Sequence, residues 1–298
     1  MKHRQAVFLG AATLALACLG LSPVHAIPAD APWSLLPPTE EAVVFRGRAS
    51  MDTVGSGNPG GFMPYPGATA GGAMAAIVTH GLLADSQNDR QKRALQEKAD
   101  RVLRAYRPVL NDYKHTELMQ AALDKTPWTG AKALAGPAQA RGTGWMVESL
   151  PVFSMTQDQR ALVLDNVLSV YPPGETDKPL YRSTVRVVSR ARMAPDMERY
   201  WKDDAGAALK AESASLLAHS LALALQEAAS PAAGDAPAFR TVRYPEGEVE
   251  KMERAQVLSQ ACDRQVIRTL RGWLMSVPSP AVGEPAAAAC ESALPGWK

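Results

Sequence analysis

The chain has 298 residues, 46% of them hydrophobic and 21% charged, with a formal net charge of +2. Such an apolar share supports a sizeable core and excludes wholesale disorder. A charge this close to zero excludes a protein drawn to nucleic acid or anionic lipid by bulk electrostatics alone.

Residues 1–26, MKHRQAVFLGAATLALACLGLSPVHA, have a basic start at Lys2 and Arg4 and an apolar stretch over 6–21. Pro23 then precedes Val24, His25 and Ala26. This is the pattern of a signal peptide with a small-x-small cleavage site, so the expected location is exported, periplasmic or envelope-associated. Loss of Lys2 and Arg4 from 32 basic residues leaves 30, balancing the 30 acidic ones. Ala15-Leu16-Ala17-Cys18 resembles a bacterial lipoprotein signal, which implies the alternative of a chain anchored through a lipidated Cys18. Once Cys18 is removed, Cys262 and Cys290 form an even pair, for which a disulfide is expected, contributing about 2–4 kcal/mol. A buried Cys262 with a free cysteine in the tail is the alternative. No C-x-x-C pair is present to suggest redox chemistry or a zinc knuckle.

Residues 27–66 read as an extended, glycine- and proline-rich segment with one strand in AVVFRG, 42–47. The glycines at 55, 57, 60 and 61 lack the strand, loop and helix order of a nucleotide site and read as a loop. Residues 67–84, GATAGGAMAAIVTHGLLA, carry no formal charge. Four glycines, two threonines and His80 leave them too weakly apolar to cross a membrane alone. Gly67, Gly71 and Ala75 recur every four positions, as do Ala68, Gly72 and Ala76. This spacing resembles the glycine-zipper segments of bacterial envelope proteins and implies a close-packing helix, facing either its own core or another molecule.

From 86 to 110 the spacing of Leu95, Ala99, Val102, Tyr106 and Leu110 predicts an amphipathic helix, with Pro108 near its end. HTELMQAALDK predicts a second, short helix, and AKALAGPAQARGTG a turn-rich connection. WMVESLPVFSM, 161–171 and 180–190 read as strands of an antiparallel meander. A long helix is expected through DAGAALKAESASLLAHSLALALQEAAS, capped by Asp203 or Asp204. FRTVRY, 239–244, is another strand. Over 249–275 a hairpin competes with a helix, and the β-branched Val257, Val266, Ile267 and Thr269 favour the hairpin. The expected fold is a single α+β domain over 67–278. Its mostly antiparallel sheet is covered on one face by two longer helices, and 279–298 form a mobile tail.

Catalytic chemistry is thinly represented. Beyond the leader the histidines are His80, His115 and His219, with no H-E-x-x-H, no G-x-S-x-G and no phosphate-loop motif. His115 and Glu117 are two apart, which does not place them on one helical face. Asp85, Asp89, Glu148, Asp165 and Asp204 have no spacing that pairs them as acid and base. No catalytic residue, metal or cofactor is expected. Arg182, Arg186 and Arg190, four residues apart on one strand, form a band able to face an anionic glycan, a lipid headgroup or an acidic protein. The leading expectation is a non-enzymatic binding or assembly protein of the periplasm or cell envelope. Its surfaces would be that band and the packing face of Gly67, Gly71, Gly72, Ala75 and Ala76, with an envelope protein or a second copy as partner and no nucleic acid. An envelope-polymer hydrolase or transferase and a soluble carrier of an apolar ligand are the alternatives.

Overall fold

The computed structural model describes residues 26–49, 87–136, 144–230, 237–261 and 263–280. The 67–84 segment with its five small residues, and all three cysteines, lie outside the described residues. The chain begins with the strands Trp33–Leu36 (β1) and Val44–Gly47 (β2). A helical stretch follows, made of Gln87–Ala99 (α1), a 3-10 segment Asp100–Tyr106 and Arg107–Asp112 (α2). Next come His115–Lys125 (α3), Lys132–Leu134 (β3), Trp145–Met155 (β4), Leu162–Tyr171 (β5), Tyr181–Val188 (β6) and the long helix Met197–Ala229 (α4). Four strands close the described chain: Arg240–Glu246 (β7), Val249–Ala261 (β8), Arg264–Thr269 (β9) and Leu274–Pro278 (β10).

All ten strands join one sheet in the order β3-β1-β4-β5-β6-β10-β9-β8-β7, with β2 also on β4. β4 organises one half of it, pairing with β5 along its full length on one side. On the other side it meets β1 through Trp145 to Glu148 and β2 through Val152 to Met155. Pro151 sits in the gap between those two partners, where β4 needs no second ladder bond, and this is how a proline fits inside a long strand.

The two faces of the sheet carry different cores. Val147, Phe153, Leu162, Leu164, Leu168, Val185 and Val187 face the helices, where they pack with Leu217, Leu221 and Leu225 of α4 and Leu118 of α3. Within this apolar layer Ser149 donates to Asn166, whose amide donates to Ser220 of α4, so the buried polar groups satisfy one another. On the opposite face Val163, Val188, Val242, Tyr244, Ala255, Ile267, Met275 and Val277 form a second core. This brings β7 over β5 and β6, so the end of the sheet curls back upon its middle.

The expectation of a mostly antiparallel sheet under two longer helices is corrected. The sheet is mixed, with four parallel pairings and five antiparallel ones among the described strands. Three helical stretches accompany it, one of them long. The parallel pairings follow from connectivity, because the helical stretch separates β1 and β2 from β3 and β4, and α4 and a meander separate β6 from β10. The expected cap at Asp203 or Asp204 is instead a break inside α4. Asp203 is extended, and Asp204, Ala205 and Gly206 are left-handed with φ of 52°, 51° and 80°. The helix itself starts earlier, at a cap where Asp196 accepts the Arg199 amide at 2.9 Å. The 249–275 region forms the hairpin β8–β9 followed by β10, as its β-branched residues indicate.

Gly47 ends β2 against the helical stretch. A Cβ built there would lie 1.9 Å from the Ala99 carbonyl oxygen and 2.1 Å from its carbon. Both are backbone atoms and neither side has a flexible tip to yield. Gly47→Ala is expected to cost about 2–3 kcal/mol or to prevent folding, whereas Gly136→Ala, where nothing lies within 4 Å, stays within about 0.5 kcal/mol. Urea unfolding of both variants checks this, and equal midpoints would contradict the close approach.

Candidate functional site

Two features remain once the cores are accounted for: a seam of charges where the sheet curls, and a groove beside β2. The seam holds two bidentate arginine–carboxylate pairs. Arg48, just beyond β2, makes a bidentate pair with Glu246 of β7 at 2.7 and 3.0 Å, and the Glu246 side chain is only 2% exposed. Arg186 makes a second bidentate pair with Asp165 at 2.5 and 2.8 Å and lies 5.4 Å from the centre of the Trp273 ring. Burial alone would raise the Asp165 pKa, but Arg186, with Arg48 beyond it, holds the carboxyl below the ordinary aspartate range. Burial likewise opposes the charge on Arg186, and Asp165 more than reverses that effect. Tyr244 lies in the same field, its phenol pushed up to about 12 by burial and by the charge of Glu246. The tip of the β7–β8 hairpin is pinned nearby, where Asp158 accepts the Glu248 amide at 2.6 Å and Arg160 pairs with Glu248 at 2.7 Å.

The expected arginine band is therefore engaged within the molecule. Arg182 and Arg186 lie on β6, as the spacing indicates, while Arg190 lies past its end and pairs with Asp263. Of the carboxylates considered as acid–base partners, Asp85 and the side chain of Asp89 lie outside the described residues. Glu148 on β4 accepts from Tyr171 at 3.0 Å, Asp165 is bound by Arg186, and Asp204 sits at the helix break. Among the described residues no three of His, Cys, Asp and Glu gather where they would hold a metal ion, and no helix is long and apolar enough to cross a membrane.

The groove lies between β2 and the helical stretch. It is half open, encloses about 430 Å³ and is lined by Ala42, Val43, Phe45, Asp100, Leu103, Arg107, Leu110 and Asn111. This volume falls within the roughly 300–1,000 Å³ of small-ligand sites. Its geometry is built from the chain upward. Gly47 permits β2 to abut the end of α1, and Asp100 fixes the contact by accepting the Gly47 amide and the Gln96 side-chain amide, each at 2.7 Å. Gln96 also donates to the Gly47 carbonyl at 2.9 Å. Phe45 forms the floor, stacked on Phe153 with ring centres 5.0 Å apart. Both bonds to Asp100 fall on Oδ1, and Oδ2 has no hydrogen-bond partner among the described residues. Arg107 is exposed and makes no ion pair among them.

Sequence reasoning missed this groove, because its two walls lie more than fifty positions apart in the chain. One signal was present: Asp100 and Leu103 are three residues apart and Leu103 and Arg107 four, steps that make each pair neighbours on a helix surface.

No known protein-family model, no curated protein and no solved structure matches the chain. The expectations of a signal peptide, a periplasmic or lipoprotein nature and a disulfide are corrected accordingly: no family model or curated protein supports them, and the described residues contain no cysteine pair. The small-residue segment 67–84 lies outside the described residues, and the α+β fold is what stands.

Two histidines behave as packing groups. His219 of α4 has its pKa pushed down to about 3 by burial and by the nearby charge of Arg264. His115, 1% exposed at the start of α3, has no hydrogen-bond partner for either ring nitrogen among the described residues. Burial lowers its pKa to about 4, against a small opposing pull from Glu40. The unfolded chain, with a histidine pKa of about 6.5, therefore takes the proton first. The contribution of His115 to stability is whole above about pH 6.5 and is lost as pH falls toward 4, at up to about 1.4 kcal/mol per pH unit. His115→Leu is expected to flatten the decline in melting temperature between pH 7 and pH 5 and to be the more stable form at pH 5. Identical pH slopes for the two proteins would contradict the buried neutral imidazole.

Proposed function

We propose that this chain is a non-catalytic binding protein whose ligand seat is the groove between β2 and the helical stretch. The observation that carries the reading is the contrast between the two features. At the seam, arginines and carboxylates bind each other bidentately, which fixes their charge states and geometry. A general acid or base needs a proton to exchange near the working pH, and a carboxylate held by an arginine is poorly suited to that. At the groove, an apolar floor of Val43, Phe45, Leu103 and Leu110 is combined with Asp100 Oδ2 and Arg107, which have no polar partner among the described residues. Concave apolar surface with a few convergent polar groups is the usual composition of a ligand site.

The reading is tested by titrating the full chain with a panel of small amphipathic compounds and following backbone amide resonances. Binding compounds are expected to shift residues 42–45 and 100–111 in a saturable way and to be recovered chemically unchanged. Shifts centred on Asp165 and His219, or conversion of any compound, would contradict it.

A further inference from the structure

We infer that the groove takes a short apolar peptide with free ends, its ammonium at Asp100 and its carboxylate at Arg107. This rests on the groove being a ligand seat and adds the class of ligand. The argument begins with the placement of charge. Asp100 opens the 3-10 segment and Arg107 opens α2. Seven steps at about 2.0 Å each set the two residues about 14 Å apart along the axis. Between them lie Leu103, buried beneath the groove, and Phe45 across from it, while Leu110 and Asn111 flank Arg107 on the next turn.

The ligand must therefore be cationic at one end, anionic at the other and apolar between. A fatty acid would satisfy Arg107 but lay methylenes against Asp100 Oδ2, which no described residue engages, leaving a charge without a partner. A polyanion would be repelled by Asp100. A single amino acid is too short to reach both ends. A peptide of three or four residues spans about 10–14 Å when extended. It presents side chains to the apolar floor and supplies both terminal charges, and Asn111 offers its amide to the same carboxylate or to a backbone group. Seven residues is also a long run for a 3-10 helix. With three residues per turn it holds Asp100, Leu103 and Tyr106 in one row, so the acid and the apolar floor share a side.

The probe is the tripeptide Leu-Ala-Leu with free termini, titrated calorimetrically into the full chain beside its C-amidated and N-acetylated forms. Saturable binding of the free peptide is expected. Amidation or Arg107→Gln should each weaken it about tenfold, the loss of one charge-assisted contact. The two changes together should do no more than either alone, because they remove the same contact. Acetylation should weaken binding similarly in wild-type and variant. An unchanged melting temperature for Arg107→Gln shows that its fold is intact. Equal affinities for all three peptides, or additive losses on combining amidation with Arg107→Gln, would overturn the inference. Absence of peptide binding while other compounds still shift residues 42–45 and 100–111 would overturn the peptide class and leave the binding reading standing. Absence of any ligand at the groove would overturn both.

Discussion

The bidentate pair between Arg48 and Glu246 joins the two ends of the described chain across 198 positions and holds the curl of the sheet in place. A sheet of this breadth is not obliged to close on itself, since twist alone leaves its last strands free to splay. The second core supplies the attraction, through Val242, Tyr244 and Ile267 packed on Val163 and Val188. Apolar contact is indifferent to direction, however, and would tolerate β7 slid along its neighbours. The Arg48 fork, facing the single carboxylate of Glu246 on β7, tolerates much less. Buried ion pairs give little net stability over apolar groups of the same shape, and their best-attested use is to fix a register. Here the Arg48 fork sets β7 against the end of β2, and the Arg186 fork ties β6 to β5.

The groove inherits its shape from that constraint. β2 is short and rests on β4 alone within the sheet, and a strand of four residues has little ladder to hold it. Its end is secured by Arg48, whose amide donates to the Met155 carbonyl at 2.7 Å and whose side chain is held by Glu246. On the other flank Gly47 meets Asp100 and Gln96. At the start of the strand the Val43 amide donates to the Tyr113 carbonyl at 3.0 Å, so Phe45 lies in a strand tied before and after it. The same anchoring explains why Asp100 presents only one oxygen to the groove, the other being spent on the strand.

Much of the fold was legible where one segment suffices to specify it. β4 has the limits read from the sequence, 145–155, and His115–Lys125 is the helix that its apolar face predicts. The hairpin at 249–275 follows from β-branched residues. Elements decided by distant partners were not legible. β1 and β3 are short, lie among prolines and glycines, and exist because Trp33 pairs with Lys132 across nearly a hundred positions. At Asp203 and Asp204 the sequence carries a genuine breaking signal, but whether it starts a helix or interrupts one depends on Met197 to Lys202 finding a place to pack, as Trp201 does. The spacing of Arg182 and Arg186 was readable, and the partners of Arg186 were not, because Asp165 lies on the neighbouring strand and Trp273 just before β10, almost ninety positions away. The groove was hidden for the same reason.

Amide hydrogen exchange on Glu246→Gln, measured residue by residue in the full chain, addresses the claim that one ion pair governs both the curl of the sheet and the floor of the groove. The substitution leaves the Arg48 guanidinium without its carboxylate and should cost about 1–3 kcal/mol. If the account is right, Tyr244 on β7 and Phe45 on β2 lose protection together and by similar factors. Loss confined to β7, with Phe45 and Gly47 as protected as in the wild-type chain, would contradict it.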